Sequence, residues 1–187
     1  MNRREALSGI SLIAGGSLVL PQVLLTGCER APHPFELFTW GDTEILDEIA
    51  EVIYPETEGV PGAKAAKVGE FIQSYVSTCL KQEHQRAFLT GYSNFKTQMQ
   101  ELYNSSFDEI ESSDRIAVIE KLENEKSEPI VLENGDKVPH FYSILKNVAS
   151  FGYFTSEIGA TKALRYLPIP GSQKGEIAYN GEKSWAL

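Results

Sequence analysis

The sequence has few of the residues that build catalytic or metal centres. Its 187 residues include only two cysteines and three histidines. This cysteine count excludes a four-cysteine iron–sulfur or zinc site. No histidine has a Glu or Asp three positions before it, as the Glu-x-x-His ligands of a di-iron bundle require. The motifs GxGxxG, HExxH and GxSxG are also absent. We therefore predict no catalytic, metal or cofactor-binding residue in this chain.

Positive charge is scarce as well. Lys and Arg number 17 against 26 Asp and Glu, which gives a net charge of −9. Because nucleic-acid phosphates attract basic surfaces, this balance excludes a nucleic-acid-binding protein. It also argues against attachment to anionic lipids by charge. A protein of this composition needs another means of contact with a membrane.

No apolar run near the N-terminus is long enough to span a bilayer, which takes about 20 residues. Arg3 and Arg4 instead precede an interrupted apolar stretch that ends in Leu25-Thr26-Gly27-Cys28. That ending resembles the lipobox of bacterial lipoproteins, so we predict a signal peptide over 1–27, lipidation of Cys28 and a tether over 28–41. The paired arginines resemble a twin-arginine (Tat) export motif, although the Sec route stays open.

Apolar periodicity from residue 42 onwards predicts an all-α fold, a single-domain bundle of about five to six helices over 42–187. The predicted helices begin at Asp42 or Thr43, near Val68, at Gln82, at a capping Ser112 or Ser113, near Pro139 and at Ser156. We expect the first to end at Tyr54-Pro55, the third at Tyr103 and the sixth at Arg165. Asn134-Gly135 predicts a turn between two short extended pieces. The Pro- and Gly-rich tail from Leu167 predicts an irregular end.

The helical stripes also predict which side chains are buried. The second helix carries Val68, Phe71, Ile72, Tyr75, Val76, Cys79 and Leu80 at helical spacing. Similar stripes include Leu102 on the third helix and Phe151 on the fifth. Because Cys79 lies on its stripe, we predict a buried and unreactive thiol. His84 is predicted to be solvated, and His140 to cap or pack against the fifth helix.

One stretch, NVASFGYFTSEIGATKALRYLPIPG, places aromatic residues next to glycines and ends in Pro-x-Pro-Gly. A local core accounts most readily for Phe151 and next for Phe154. An apolar surface for a protein partner accounts better for Tyr153, Tyr166 and the run Pro168-Ile169-Pro170. Both interpretations are open at this stage. The candidate partner interface consists of Tyr153, Phe154, Thr155, Glu157, Tyr166, Pro168 and Pro170.

The chain resembles the small subunit (subunit 3) of membrane-bound gluconate 2-dehydrogenase. The resemblance covers most of the sequence after the signal peptide. It rests on the twin-arginine start, on Tyr54-Pro55-Glu56-Thr57 followed by Gly62-Ala63-Lys64-Ala65-Ala66, and on two later segments. These are Gly152-Tyr153-Phe154-Thr155-Ser156-Glu157 and Tyr166-Leu167-Pro168-Ile169-Pro170-Gly171.

The resemblance implies a non-catalytic accessory subunit of an oxidoreductase complex. Its partner would be a large flavoprotein dehydrogenase of the glucose-methanol-choline type, which would hold FAD, with a cytochrome c subunit as a further partner. The small subunit would supply the Tat signal and, through Cys28, a membrane anchor on the periplasmic side of the envelope. The family name does not fix the sugar or sugar acid oxidised. The alternative is a stand-alone envelope lipoprotein that binds a small ligand or a protein partner.

Overall fold

Amphipathic segments separated by short polar turns fold this chain into packed helices. The computed structural model describes residues 37–126, 129–131, 135, 137–169, 171, 176 and 178–186. These residues form five α-helices, a π-helical turn and one two-stranded antiparallel sheet. The elements are α1 (Asp42–Ile53), α2 (Val68–Thr78), α3 (Gln82–Tyr103), α4 (Ser112–Glu125), β1 (Ile130–Val131), β2 (Lys137–Val138), α5 (Phe141–Thr155) and the π-helical turn (Gly159–Ala163). The helical prediction is confirmed for this part of the chain.

Several helix ends lie where the sequence predicts them. α1 begins at Asp42 and ends just before Tyr54-Pro55, and α3 has the predicted bounds. His140 caps α5, because its Nδ1 accepts a hydrogen bond from the backbone N–H of Tyr142 at 3.3 Å. At α4 the prediction of a serine cap was wrong. Glu111 occupies the N-cap position there, and Ser112 is the first helical residue.

Helix α5 lies at the centre of the bundle and contacts α1, α2, α3 and the π-helical turn. Its buried stripe runs along one face and continues into two small residues near its C-terminal end. At that end Gly152 lets α2 approach closely, since a Cβ at this position would overlap the ring of Phe71. The stripe consists of Phe141, Tyr142, Ile144, Leu145, Val148, Ala149, Gly152 and Tyr153.

Three predicted core residues are exposed, and in each case the helix geometry gives the reason. Leu102 is 67% exposed, because Tyr103 rather than Leu102 packs on the core in the last turn of α3. Phe151 is 52% exposed, since the buried stripe of α5 passes through Gly152 instead. Cys79 is exposed because α2 ends at Thr78, which leaves the cysteine in the C-cap position. The prediction of a buried thiol was therefore wrong.

The described part of the C-terminal tail returns to the helices at Arg165. The backbone N–H of Arg165 donates to the carbonyl of Ser184 at 2.8 Å, and the N–H of Ala186 donates to the carbonyl of Arg165 at 3.0 Å. The Arg165 guanidinium lies 4.1 Å from the centre of the Trp185 ring. These contacts fix an otherwise irregular segment without adding a helix.

The predicted export and lipidation residues, Arg3, Arg4 and Cys28, lie outside the described residues. Pro170 of the candidate interface also lies outside them. None of the helices in the described ranges has the length and apolar character needed to cross a membrane.

Candidate functional site

Residues 54–66 and 152–169, which carry the distinctive sequence patterns of the chain, pack against each other. We call them the paired segments. The Tyr54 and Tyr153 rings are stacked, with centroids 5.2 Å apart and an angle of 15° between their planes. The Phe154 ring meets both at 5.2 Å in edge-on geometry. Two stretches that lie almost 100 positions apart therefore share one aromatic cluster at the C-terminal end of α1.

Tyr153 is a core residue of this cluster, so its predicted place in an exposed partner interface was wrong. Only 3% of it is exposed, and its hydroxyl donates to the carbonyl of Pro61 at 2.7 Å. Burial raises the pKa of Tyr153, which keeps the hydroxyl protonated and able to donate. The physical reason is the register of α5, whose buried face includes Tyr153 and leaves Phe151 outside. Tyr153 therefore links the paired segments and is not available to a partner.

A carboxylate organises the turn within residues 54–66. Glu51 of α1 accepts hydrogen bonds from the backbone N–H groups of Glu56 at 2.9 Å and Lys64 at 2.8 Å. Gly62 passes so close to this carboxylate that a Cβ would overlap it. Position 62 therefore requires a glycine, because a larger residue would displace the Glu51 side chain.

The remaining candidate interface residues lie on or near the surface. Thr155, Glu157 and Pro168 are exposed, and Phe154 is half-buried. Tyr166 is 56% exposed. Beyond the aromatic cluster, residues 166–169 therefore present a short apolar surface that includes Leu167 and Ile169. Of the predicted interface residues, Thr155, Glu157, Tyr166 and Pro168 are therefore accessible in the structure.

A second aromatic surface was missed by the sequence interpretation. The Phe151 ring lies 5.8 Å from that of Phe71 and 5.9 Å from that of Tyr75. A hollow of about 220 Å³ beside it is also lined by Leu80 and His84. His84 is half-buried here rather than fully solvated, which corrects its prediction. The aromatic residues of α2 and α5 could have indicated this surface. The sequence interpretation missed it because it did not identify Gly152 as the point where the two helices meet.

The side chains of His140 and Glu109 form structural contacts. His140 caps α5, and burial lowers the pKa of its imidazole. Glu109 accepts from the Ser105 hydroxyl at 2.7 Å and the Ser106 N–H at 3.2 Å, and these hydrogen bonds lower the pKa of its carboxyl group. Across the described ranges, no group of three or more His, Cys, Asp or Glu side chains is arranged to hold a metal ion. The accessible residues of the candidate interface therefore combine apolar surface at Tyr166 and Pro168 with the polar side chains of Thr155 and Glu157.

The family model described as gluconate 2-dehydrogenase subunit 3 matches residues 41–171. That range contains every described helix and both paired segments. No curated protein and no solved structure matches the chain.

Proposed function

Because the chain belongs to the gluconate 2-dehydrogenase subunit 3 family, we propose that it is the non-catalytic small subunit of a membrane-associated, flavin-dependent sugar or sugar-acid dehydrogenase. In this role it assists the export and assembly of a catalytic flavoprotein and holds that partner at the membrane. FAD belongs to the partner subunit in this proposal, and a cytochrome c subunit is a further partner.

The observation that carries the proposal is the family match over 41–171. The match runs through α1 to α5 and the paired segments, so the helical domain as a whole corresponds to the family. The family is a subunit of a multi-subunit dehydrogenase, which supports a partner catalytic subunit. Its accessory role agrees with a sequence that offers recognisable export features and no recognised catalytic motif.

We assign partner docking to the accessible part of the candidate interface. Tyr166 and Pro168 supply exposed apolar surface, and Thr155 and Glu157 supply exposed polar groups at the end of α5. Tyrosine is favoured at protein interfaces because it combines a large apolar ring with a hydrogen-bonding hydroxyl. The hydrogen bond from Tyr153 to the carbonyl of Pro61 joins the two paired segments.

Export and anchoring rest on the N-terminal sequence. Arg3 and Arg4 supply the Tat signal in this proposal, which allows a flavin-loaded partner to cross the membrane folded. Cys28 carries a diacylglyceryl group, which anchors the chain on the periplasmic side more firmly than a single acyl chain does. The alternative, a stand-alone envelope lipoprotein, shares the anchor but lacks the catalytic partner.

The test is affinity purification of the tagged full-length protein from its own cells in mild detergent. We expect a flavoprotein dehydrogenase to accompany it and the double variant Tyr166→Ala/Pro168→Ala to lose most of that partner. Leu102→Ala, which removes another exposed apolar side chain on α3, is the matched control and should retain it. Recovery of the wild-type protein without a flavoprotein would contradict the proposal and favour the alternative.

The export route has a separate test. The double variant Arg3→Lys/Arg4→Lys should leave both this chain and its flavoprotein partner in the cytoplasm, because Tat transport depends on the arginine pair. Cell fractionation followed by immunoblotting measures the outcome. Normal export of the variant would assign the chain to the Sec route and leave the docking proposal unaffected.

A further inference from the structure

Trp40, just before α1, is the most exposed large apolar residue in the described part of the chain. Its side chain is fully accessible, at 103% of the reference value, whereas Phe38 two positions earlier is 7% exposed and packs in the core. Full exposure of a tryptophan forgoes the favourable free energy of burying a large ring. An isolated exposed ring of this size is a candidate for contact with something outside the chain.

The Asp42 carboxylate connects the turn that carries Trp40 to helix α3. Asp42 Oδ2 accepts from the Thr39 N–H at 2.5 Å and from the Thr39 hydroxyl at 2.8 Å. The Asp42 carboxylate is nearly inaccessible and forms an ion pair with Lys96 at 2.8 Å. The Tyr92 hydroxyl donates to the same carboxylate at 3.1 Å. Trp40 is therefore presented to solvent by a hydrogen-bonded turn that is fixed to α3.

We propose that Trp40 inserts into the interface of the lipid bilayer and sets the orientation of the helical domain on the membrane. The proposal rests on the proposed function, specifically on lipidation of Cys28. Cys28 lies twelve positions before Trp40, a stretch that spans at most about 40 Å when extended. An anchored chain thus keeps this tryptophan within reach of the bilayer. Tryptophan suits the region between headgroups and acyl chains because its ring is apolar and its N–H is polar.

The charges around Trp40 select the kind of lipid surface. Glu44 and Glu70 line the same hollow as Trp40, which has a volume of about 470 Å³. The chain without residues 1–27 carries a net charge of −10, since that segment contributes Arg3, Arg4 and Glu5 to the total of −9. Acidic groups beside the ring repel anionic headgroups. We therefore infer insertion into zwitterionic lipid and weaker insertion where anionic lipid is abundant.

Membrane contact at Trp40 is compatible with the proposed partner docking. Trp40 precedes the first residue of α1, and Tyr54 follows its last residue. The 12 residues of α1 separate these ends by about 18 Å, at 1.5 Å per residue. The aromatic cluster around Tyr54 and Tyr153 therefore lies away from the lipid contact. The exposed docking residues Thr155 and Glu157 directly follow this cluster in the chain, so a partner can bind them while Trp40 is inserted.

The chain offers a clean fluorescence test because it contains two tryptophans, Trp40 and Trp185. The mature lipoprotein, purified in detergent, is reconstituted into phosphatidylcholine vesicles with and without brominated phosphatidylcholine. In the variant Trp185→Phe all tryptophan emission comes from Trp40, and we expect a blue shift and a loss of emission with brominated lipid. The matched variant Trp40→Phe reports Trp185, whose emission should be unchanged. Replacing part of the lipid by phosphatidylglycerol should weaken the Trp40 quenching at low salt.

The possible outcomes separate this inference from the proposed function. Vesicle-bound protein whose Trp40 emission is not quenched overturns the inference and leaves the lipid anchor in place. Wild-type protein that fails to join vesicles, like a Cys28→Ser control, overturns the anchor and the inference together. A Trp40 blue shift that requires added dehydrogenase subunit, and not lipid, assigns the residue to a protein contact and also overturns the inference.

Discussion

The two ends of α1 are fixed by different chemistry. At the N-terminal end a buried carboxylate, Asp42, is paired with Lys96 and receives a hydrogen bond from Tyr92. At the C-terminal end Tyr54 stacks on Tyr153, and neither ring carries a charge. The N-terminal end thus depends on an ion pair, whereas the C-terminal end combines aromatic packing with the hydrogen bonds that Glu51 accepts.

This difference separates two kinds of stability. An ion pair depends on direction and protonation, and a buried charge that loses its partner is costly. Aromatic packing depends mainly on the area removed from water and is insensitive to pH in the ordinary range. Burial also raises the pKa of Tyr92, so its hydroxyl stays protonated as a donor to Asp42. Acid therefore weakens the N-terminal end of α1 through Asp42, whereas the aromatic contact between Tyr54 and Tyr153 is insensitive to it.

The largest expected effect belongs to the aromatic end. Tyr153→Ala removes a ring that is 3% exposed, together with its hydrogen bond to Pro61. We expect the free energy of unfolding to fall by about 3–5 kcal/mol, as for other buried aromatic truncations. Urea denaturation followed by circular dichroism measures this loss.

Tyr153→Phe is the control for this prediction, because it keeps the ring and deletes only the hydroxyl. We expect it to cost about 1 kcal/mol, the usual value of one hydrogen bond. Wild-type stability in Tyr153→Ala, combined with loss of the dehydrogenase partner, would return Tyr153 to the interface and contradict the buried position.

The next effect belongs to the charged end. Lys96→Met keeps the aliphatic part of the side chain but leaves the Asp42 carboxylate without its cation. We expect a loss of about 1–3 kcal/mol in the free energy of unfolding, less than for a fully buried pair because Lys96 is 33% exposed. The double variant Asp42→Asn/Lys96→Met should recover part of this loss. Equal stability of the single and double variants would show that the unpaired charge is not the cause.

A smaller effect concerns pH. Burial opposes ionisation of Asp42, but hydrogen bonds from Lys96 and Thr39 outweigh it and hold the pKa below the ordinary value of 3.8. The carboxylate therefore stabilises the fold above that value, and this contribution disappears as the pH falls through the lowered pKa. Asp42→Asn should lose less stability than wild type between about pH 5 and about pH 2. Urea denaturation across this pH range measures the loss. If wild type and Asp42→Asn lost the same free energy of unfolding, the assignment to Asp42 would be contradicted.

The sequence predicts the bounds of several helices well. Helix starts and stops follow from local chemistry, such as Pro55 after α1 and His140 before α5, and these predictions agree with the structure. The bounds of α3 also follow from its long periodicity. The Asp42–Lys96 pair joins residues 54 positions apart, so no local pattern could indicate it.

The wrong burial predictions share a physical cause. Apolar periodicity indicates one face of a helix, but not where the helix ends or where a neighbouring helix approaches it. Cys79 continues the α2 stripe in sequence, but α2 has already ended at Thr78. Phe151 and Tyr153 exchange their predicted places because Gly152, which has no side chain to count, lies at the contact with Phe71. The sequence patterns indicated the two paired segments, but only their geometry shows which of their residues remain accessible.

The smallest expected effect on stability concerns two aromatic residues just before α1, the exposed Trp40 and the buried Phe38. Trp40→Ala removes a ring that packs on little of the described chain, so we expect a change below about 0.5 kcal/mol in the free energy of unfolding. Phe38→Ala, two positions earlier, is the matched control and should cost about 3–5 kcal/mol because that ring is buried. Urea denaturation in detergent-free buffer compares the two. A large loss for Trp40→Ala would mean that its ring serves the fold, whereas a negligible loss leaves it available for the membrane.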